Sequence, residues 1–176
     1  MIRLWPEPLF SLRGRPRGFS LLELMITLLL LAIVTAIALP SFSNIIMRAT
    51  LGSQARELMA GALMARSEAI KRNQVVTLCA SSNGTSCTDD SWAAGWIVLA
   101  QNNQVVHKHK PLPEGFLINS ELTRVTFGAS GLGASMTSLI ICRETPTVGS
   151  QERVVTISAT GRPSISTTDN GECSPL

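Results

Sequence analysis

The feature that most constrains this chain is an apolar run at residues 19–39 that contains one carboxylate near its start. A helix over these 21 residues, at 1.5 Å per residue, is about 32 Å long, close to the ~30 Å hydrocarbon core of a bilayer. Glu23 is the fifth residue of the run, and a carboxylate within a span costs roughly 2.5–3.5 kcal/mol, less near the interface. We therefore expect a single membrane-spanning helix in which Glu23 has a partner.

Residues 1–18 precede the run as a leader that is rich in arginine and ends at Gly18. The preference of Arg and Lys for the cytoplasmic side predicts that the N-terminus stays inside. Two alternatives remain. One is a secretory signal peptide, for which Ala36-Ile37-Ala38 mimics a small-residue cleavage site; the other is a plain anchor in which Glu23 is accidental. The run is long for a signal peptide, and Glu23 interrupts its start.

The helical pattern resumes after Pro40 and continues to about Arg72. Proline cannot donate to the helical hydrogen-bond ladder and disfavours helix at Leu39, so a bend is expected there. Over residues 40–72 the sequence is amphipathic. Small and apolar residues recur on one stripe, at spacings of three and four: Leu51, Ala55, Leu58, Ala62, Ala65 and Ala69. This stripe is predicted to pack closely against a sheet, while Gly52 and Gly61 weaken the helix slightly.

After Asn73 the period changes to two, and short β-rich segments alternate with polar or glycine-rich loops. The predicted strands cover residues 74–80, 96–101, 104–110, 115–119, 123–127, 138–143, 153–158 and, as a last short one, 162–166. One long helix followed by an antiparallel, strand-rich body predicts an α+β fold, with residues 73–176 as the globular domain.

Four cysteines, Cys79, Cys87, Cys142 and Cys173, all follow the apolar run. An even number in an exported domain predicts two disulfides, for which three pairings can be drawn. We favour Cys79 with Cys87, which closes a short polar loop, and Cys142 with Cys173, which ties down the C-terminal tail. The alternatives are four buried or free thiols and a zinc site, although no C-x-x-C spacing is present.

Candidate catalytic or metal-binding residues are few in this sequence. His107 and His109 alternate along one predicted strand, so they share a face that could hold a metal ion. Lys108 and Lys110 around them favour a solvated edge strand instead. The glycine-rich segment 128–135 has neither the spacing of a nucleophile elbow nor the lysine of a phosphate-binding loop. We therefore expect neither an enzyme nor a bound metal or cofactor.

The basic leader, Gly18, Phe19 and Glu23 together resemble the type IV prepilin signature. That signature has a small residue at the scissile bond and an acidic residue in the first turns of the mature helix. The resemblance implies that a prepilin peptidase cuts between Gly18 and Phe19 and that the Phe19 amine is then N-methylated. It also implies anchoring in the inner membrane, with residues 73–176 in the periplasm, and partners among minor and major pilin or pseudopilin subunits.

In such an assembly the resemblance implies that Glu23 faces the positively charged N-terminus of a neighbouring subunit. An ammonium and a carboxylate that are both removed from water attract strongly, and neither has another good partner. Glu23 would then recruit the neighbouring subunit and fix the register between the two helices.

Further segments narrow the family. Residues 65–79, 95–98 and 158–162 resemble the GspH/FimT-like minor pilins and pseudopilins, whose fold is a long N-terminal helix on a β-rich head. We expect a minor pilin that initiates or caps a type IV pilus, with a minor pseudopilin of a type II secretion system as the alternative.

A third expectation concerns DNA. Some FimT-like members bind DNA through arginines around a C-terminal Gly-Arg element, and the resemblance makes Arg162 a candidate DNA contact. No second arginine lies close to Gly161-Arg162 in the sequence, and six basic residues stand against eight acidic ones after Asn73. This balance argues against a large nucleic-acid footprint, which needs clustered Lys and Arg.

Overall fold

The computed structural model describes residues 18–132, 136–144, 151–168 and Cys173, apart from the side chains of residues 39–41. The leader predicted at residues 1–18 therefore lies outside the described residues, except for Gly18. The chain divides after Ser43 into two compact units, residues 1–43 and 44–176.

A single helix, α1, spans Leu21–Arg72 and is 52 residues long. Its backbone is helical at Pro40, where the sequence predicted a bend. The helix ends at Asn73, which has a φ of 51°. The Gln74 amide donates to the Ala69 carbonyl at 3.2 Å, and the Asn73 amide donates to the Ile70 carbonyl at 3.2 Å. This is a Schellman-type end, in which a left-handed residue turns the chain out of the helix.

The C-terminal half of α1 buries the stripe that the sequence predicted. Its six members are 4% exposed or less: Leu51, Ala55, Leu58, Ala62, Ala65 and Ala69. Because four of them are alanines, the helix backbone approaches the neighbouring sheet closely. The approach is closest at Gly61, where a Cβ would overlap the Trp96 ring.

Eight strands and one 3₁₀ helix follow α1. The strands are β1 Val76–Ala80, β2 Trp96–Ala100, β3 Val105–His109, β4 Phe116–Asn119, β5 Arg124–Phe127, β6 Thr137–Arg143, β7 Glu152–Ile157 and β8 Pro163–Thr168. Each corresponds to a predicted strand with shifts of a few residues at the ends. The 3₁₀ helix Trp92–Ala94 between β1 and β2 was not predicted.

The strands form two antiparallel four-stranded sheets. The first has the order β3-β2-β1-β5 and the second β4-β6-β7-β8. The register of β2 with β3 shifts between Val98 and Leu99, so β3 carries one extra residue, Val106, at a bulge. All pairings are antiparallel, and the predicted α+β fold with a long N-terminal helix packed on antiparallel sheets is confirmed.

One continuous core lies in the second unit. It joins the buried stripe of α1 to residues from both sheets, among them Trp96, Phe127, Leu139 and Ile157. Trp92 belongs to this core, and its indole Nε1 donates to the Leu122 carbonyl at 2.7 Å. Burial of apolar surface contributes about 25 cal/mol per Å². This shared core therefore holds the C-terminal half of α1 against both sheets.

Candidate functional site

The predicted processing site lies at the start of the described chain. Gly18, Phe19 and Ser20 precede the helix and are exposed, with 76% of Phe19 accessible. A Cβ added at Gly18 would meet nothing within 4 Å. The Gly18–Phe19 peptide bond thus lies in non-helical, open backbone. Cleavage at this bond stays a prediction.

Ser20 begins the helix as its N-cap. Its Oγ accepts the amide of Glu23 at 3.1 Å, and its carbonyl accepts the amide of Leu24 at 3.1 Å. A side-chain oxygen that accepts the amide three residues later satisfies one of the helix's unpaired N–H groups. The Ser-x-x-Glu spacing is a capping-box signature that our sequence interpretation overlooked.

Glu23 lies in the first turn of α1, where the helix dipole favours a negative charge. The residues beside it in the sequence are large, exposed and apolar, including Leu22, Leu24 and Met25. Within residues 18–132, 136–144 and 151–168, no side chain forms a hydrogen bond or ion pair with the Glu23 carboxylate. The capping contact therefore uses only the Glu23 backbone and leaves the carboxylate available.

The first part of α1 is long and apolar enough to cross a membrane by length and composition. An 18-residue stretch has a mean hydropathy of 2.6, and none of it is buried. Thr27 and Thr35 are polar, but each hydroxyl bonds to a carbonyl of its own helix, Thr27 to Leu24 at 2.9 Å and Thr35 to Leu31 at 2.9 Å. Hydrocarbon offers no hydrogen-bond partners, so internal satisfaction of this kind suits a membrane span.

Disulfides tie two outlying segments to the sheets. Cys79 in β1 is joined to Cys87, with their Cα atoms 5.5 Å apart. Cys142 in β6 is joined to Cys173, with their Cα atoms 6.0 Å apart. These are the two pairs that the sequence favoured.

The residues just after Cys87 are also held to the first sheet, by an ion pair. Asp89 Oδ1 accepts from Arg124 Nη2 at 2.9 Å. On the same side of the sheet, the Lys108 side chain packs directly over Gly84 and leaves no room there for a Cβ.

The environment predicted for the two histidines is wrong in one respect. β3 is an edge strand, as expected, but the register pairs Trp96 with His109 and Val98 with His107. Both histidines therefore lie on the face that packs against α1. The His109 ring stacks on Trp96, with centroids 4.7 Å apart and planes 2° from parallel, and its Nε2 contacts Glu57 Oε2. Only 14% of the His109 side chain is exposed.

No metal centre is found at these histidines. In the part of the chain that the structure describes, no three His, Cys, Asp or Glu side chains form a group that could hold a metal ion. The Nδ1 atom of His109 is buried, and none of the described residues forms a hydrogen bond with it.

Arg162, the candidate DNA contact, is exposed in the turn between β7 and β8. Ser158 shapes this turn, because its Oγ accepts the Arg162 amide at 3.1 Å, and Gly161 adopts a φ of 71°. Arg162 is therefore accessible in a well-defined turn, and DNA binding stays a prediction.

Comparison with known proteins identifies the family. Residues 54–161 match the family described as type II transport protein GspH, and residues 13–39 match the prokaryotic N-terminal methylation motif. The chain belongs to the GspH family. The resemblance seen in the sequence is thus confirmed. A comparison with curated proteins gave no match.

Solved structures similar to this GspH-family chain come from two assemblies. The crystal structure of the type IV minor pilin FimU of Pseudomonas aeruginosa is 25% identical, with a TM-score of 0.56, and the match covers 68% of this chain and 90% of FimU. The crystal structure of the minor pseudopilin EpsH from the type II secretion system of Vibrio cholerae is 14% identical, with a TM-score of 0.50. The match covers 72% of this chain and 98% of EpsH. The EpsH match shows a shared fold alone.

These matches indicate the general class of protein to which the GspH-family chain belongs. Its relatives are structural pilin and pseudopilin subunits rather than enzymes. The N-terminal methylation motif implies processing by prepilin peptidase and assembly with other pilin or pseudopilin subunits. The apolar N-terminal helix and the family together indicate membrane anchoring.

Proposed function

We propose that this chain is a minor pilin that helps to initiate or cap a type IV pilus. Prepilin peptidase cleaves it between Gly18 and Phe19, and the new Phe19 amine is N-methylated. Before assembly it sits in the inner membrane, with its N-terminus in the cytoplasm and residues 73–176 in the periplasm. The observation that supports this proposal most directly is the Glu23 carboxylate, which lies in an exposed apolar helix and has no described partner.

The electrostatic argument links processing to assembly. Before cleavage, the Phe19 nitrogen is part of a neutral peptide bond, and afterwards it is an ammonium. In an apolar surrounding, an unpaired carboxylate and an unpaired ammonium are each costly, so the pair forms between subunits once both lose water. Phe19 and Glu23 are about one helical turn apart, so pairing between two parallel helices sets a definite axial offset.

The pilus is preferred over the secretion system because FimU shares more identity with this chain than EpsH does. A minor pseudopilin of a type II secretion system is the second candidate. It is favoured by the GspH family description, which refers to type II transport.

Charge removal at Glu23 tests the proposed pairing. Glu23→Gln keeps the size of the side chain and removes its charge. We expect normal membrane insertion and a Phe19 N-terminus by mass analysis, but a several-fold lower amount of the protein in sheared filaments. Glu23→Asp should retain part of the incorporation, because it keeps the carboxylate.

Thr27→Val is the matched control for this test. Thr27 lies in the same apolar stretch, but its hydroxyl bonds to its own helix, so the variant should assemble normally. Full incorporation of Glu23→Gln would contradict the pairing. An N-terminus at Leu39 in place of Phe19 would support ordinary secretion.

A deletion strain separates the pilus from the secretion system. We expect loss of this chain to lower the number of surface pili and to leave the release of secreted enzymes unchanged. The reverse result would assign the chain to a pseudopilus. Re-expression of the full chain must restore whichever phenotype is found.

A further inference from the structure

A groove of about 420 Å³ lies in the second unit, between α1 and the edge strand β3. We call it the β3 groove. It is lined on the helix side by Glu57, Ala60, Gly61 and Met64 and on the strand side by residues 107–110. The helix side is mainly apolar, and Ala60 and Met64 are both exposed there. A cavity of this size accepts one or two side chains of a bound chain.

The strand side of the groove is the outer edge of a sheet. β3 pairs with β2, and no other described strand pairs with it. The bulge at Val106 interrupts the ladder at the start of β3, but residues 107–109 keep a regular antiparallel register with β2. An unpaired edge of this kind presents backbone N–H and C=O groups that can accept a further strand.

The two faces of β3 differ in chemistry. His107 and His109 point to the face that carries Trp96, next to the groove. Lys108 is paired with Ile97 on the opposite face and packs over Gly84. Because side chains alternate along a strand, a chain added beside β3 would place every second residue towards the groove and the others beside the lysines.

We propose that the β3 groove binds an extended segment of another protein in which apolar and acidic residues alternate. The segment adds to β3 as an antiparallel or parallel edge strand at residues 107–110. Its apolar side chains enter the groove against Ala60 and Met64, and its carboxylates lie beside Lys108 and Lys110. Backbone hydrogen bonds hold the segment, and the alternating pattern selects it.

Charge decides which occupant fits. Two copies of this chain that joined through β3 would bring the lysines of both strands together, and like charges opposite each other are destabilising. The carboxylate within the groove, Glu57, already contacts His109. An acidic partner is therefore complementary, whereas a second copy is repelled. The proposal concerns the second unit alone and does not rest on the proposed role in a pilus.

The test uses the full-length chain in lipid nanodiscs and a fluorescent heptapeptide of alternating glutamate and valine. Binding is measured by fluorescence anisotropy, and the location is measured by amide hydrogen exchange. We expect saturable binding with slower exchange in residues 107–110. A peptide of alternating lysine and valine should bind at least tenfold more weakly. An acidic peptide that is N-methylated on alternate backbone nitrogens should lose binding, because it cannot pair as a strand.

Two variants locate the site and one serves as a control. Lys108→Glu combined with Lys110→Glu should weaken binding at least tenfold through charge reversal, and Ala60→Phe should weaken it by filling the groove. Lys71→Glu reverses one charge of the same kind on the exposed end of α1 and should leave affinity unchanged. Circular dichroism confirms that each variant is folded.

Three results from the binding experiments would overturn the proposal, and a complete lack of binding is a fourth. They are equal binding of the N-methylated peptide, protection at the edge of β8 in place of β3, and self-association of the chain through β3 in the absence of peptide. Absence of any binding of the acidic peptide at low salt, where charge attraction is strongest, would also overturn it.

Discussion

The two halves of α1 place their apolar residues in opposite environments. In the first half, leucines such as Leu29 are 62% exposed, whereas Leu58 in the second half is fully buried. The first half is rich in large aliphatic residues, and the second half uses alanine at four of its six buried stripe positions. The two halves are therefore apolar in different ways. The first half exposes large side chains, and the second half uses small ones that let a sheet approach closely.

The same contrast appears in the carboxylates of the two halves. Glu23 has no described side-chain partner, while Glu68 accepts from Arg72 Nε at 2.8 Å and from Lys71 Nζ at 3.2 Å. A charge that is satisfied within its own helix contributes to the fold of the chain. For Glu23, which lies in an apolar stretch, a partner on another molecule stays a prediction.

Truncation of one leucine in each half should give the largest difference between the two halves in the free energy of unfolding. Leu58→Ala removes buried methyl groups from the core and should lower the free energy of unfolding by about 2–5 kcal/mol. Leu29→Ala should leave it unchanged, because Leu29 contributes nothing to that core. Urea unfolding of the full chain in detergent, followed by tryptophan fluorescence, measures both. Equal losses in the two variants would show that the halves are not energetically separate.

Two glycines in the second half give the next largest contrast. Gly61→Ala should destabilise by about 1–3 kcal/mol, because the added Cβ overlaps the rigid ring of Trp96. Gly52→Ala is the matched control, since its Cβ would meet only the flexible Arg56 side chain at 3.4 Å. We expect it to stabilise by about 0.5–1 kcal/mol through helix propensity. Stabilisation by both substitutions would show that α1 can move away from the sheet.

The sequence predicted the buried stripe of α1 because its period of three and four residues reports directly which helix face is covered. Strand positions were also predictable, since alternation and turn residues are local signals. Gly61 was predicted only to weaken the helix, because nothing near it in the sequence indicates Trp96 as its neighbour. The contact depends on how the helix crosses the sheet, and local pattern does not encode that crossing.

The environment of His109 escaped prediction for a related reason. The lysines on both sides indicate an edge strand correctly, but they do not say which face of that strand is covered. The register with Trp96 and the bulge at Val106 decide it. Glu57, 52 residues away in the sequence, then becomes the neighbour of His109. Gly18, Phe19 and Glu23, by contrast, were named from their local spacing in the sequence, and their roles in processing and assembly stay predictions.

The C-terminal end of α1 gives the next test, with a smaller expected effect on stability. Asn73 adopts a left-handed conformation, which alanine populates poorly. Asn73→Ala should lower the free energy of unfolding by about 1 kcal/mol, whereas Asn73→Gly should leave it unchanged or raise it slightly. Thermal unfolding of the two variants beside the parent chain measures this. An unchanged stability in Asn73→Ala would imply that the helix can extend past Arg72.

The smallest expected effect concerns Glu68 and its dependence on pH. Hydrogen bonds from Arg72 and then Lys71 hold the pKa of the Glu68 carboxyl below its ordinary value of 4.5. A carboxyl with a lowered pKa in the folded state adds stability that is fully present above the unfolded value, and this stability is lost as the pH falls through the folded value. The stability difference between the parent chain and Glu68→Gln should therefore be constant from pH 7 to about pH 5 and shrink below pH 4.5. Urea unfolding at a series of pH values measures it, and a difference that stays the same down to pH 3 would mean that these bonds contribute nothing to the second half of α1.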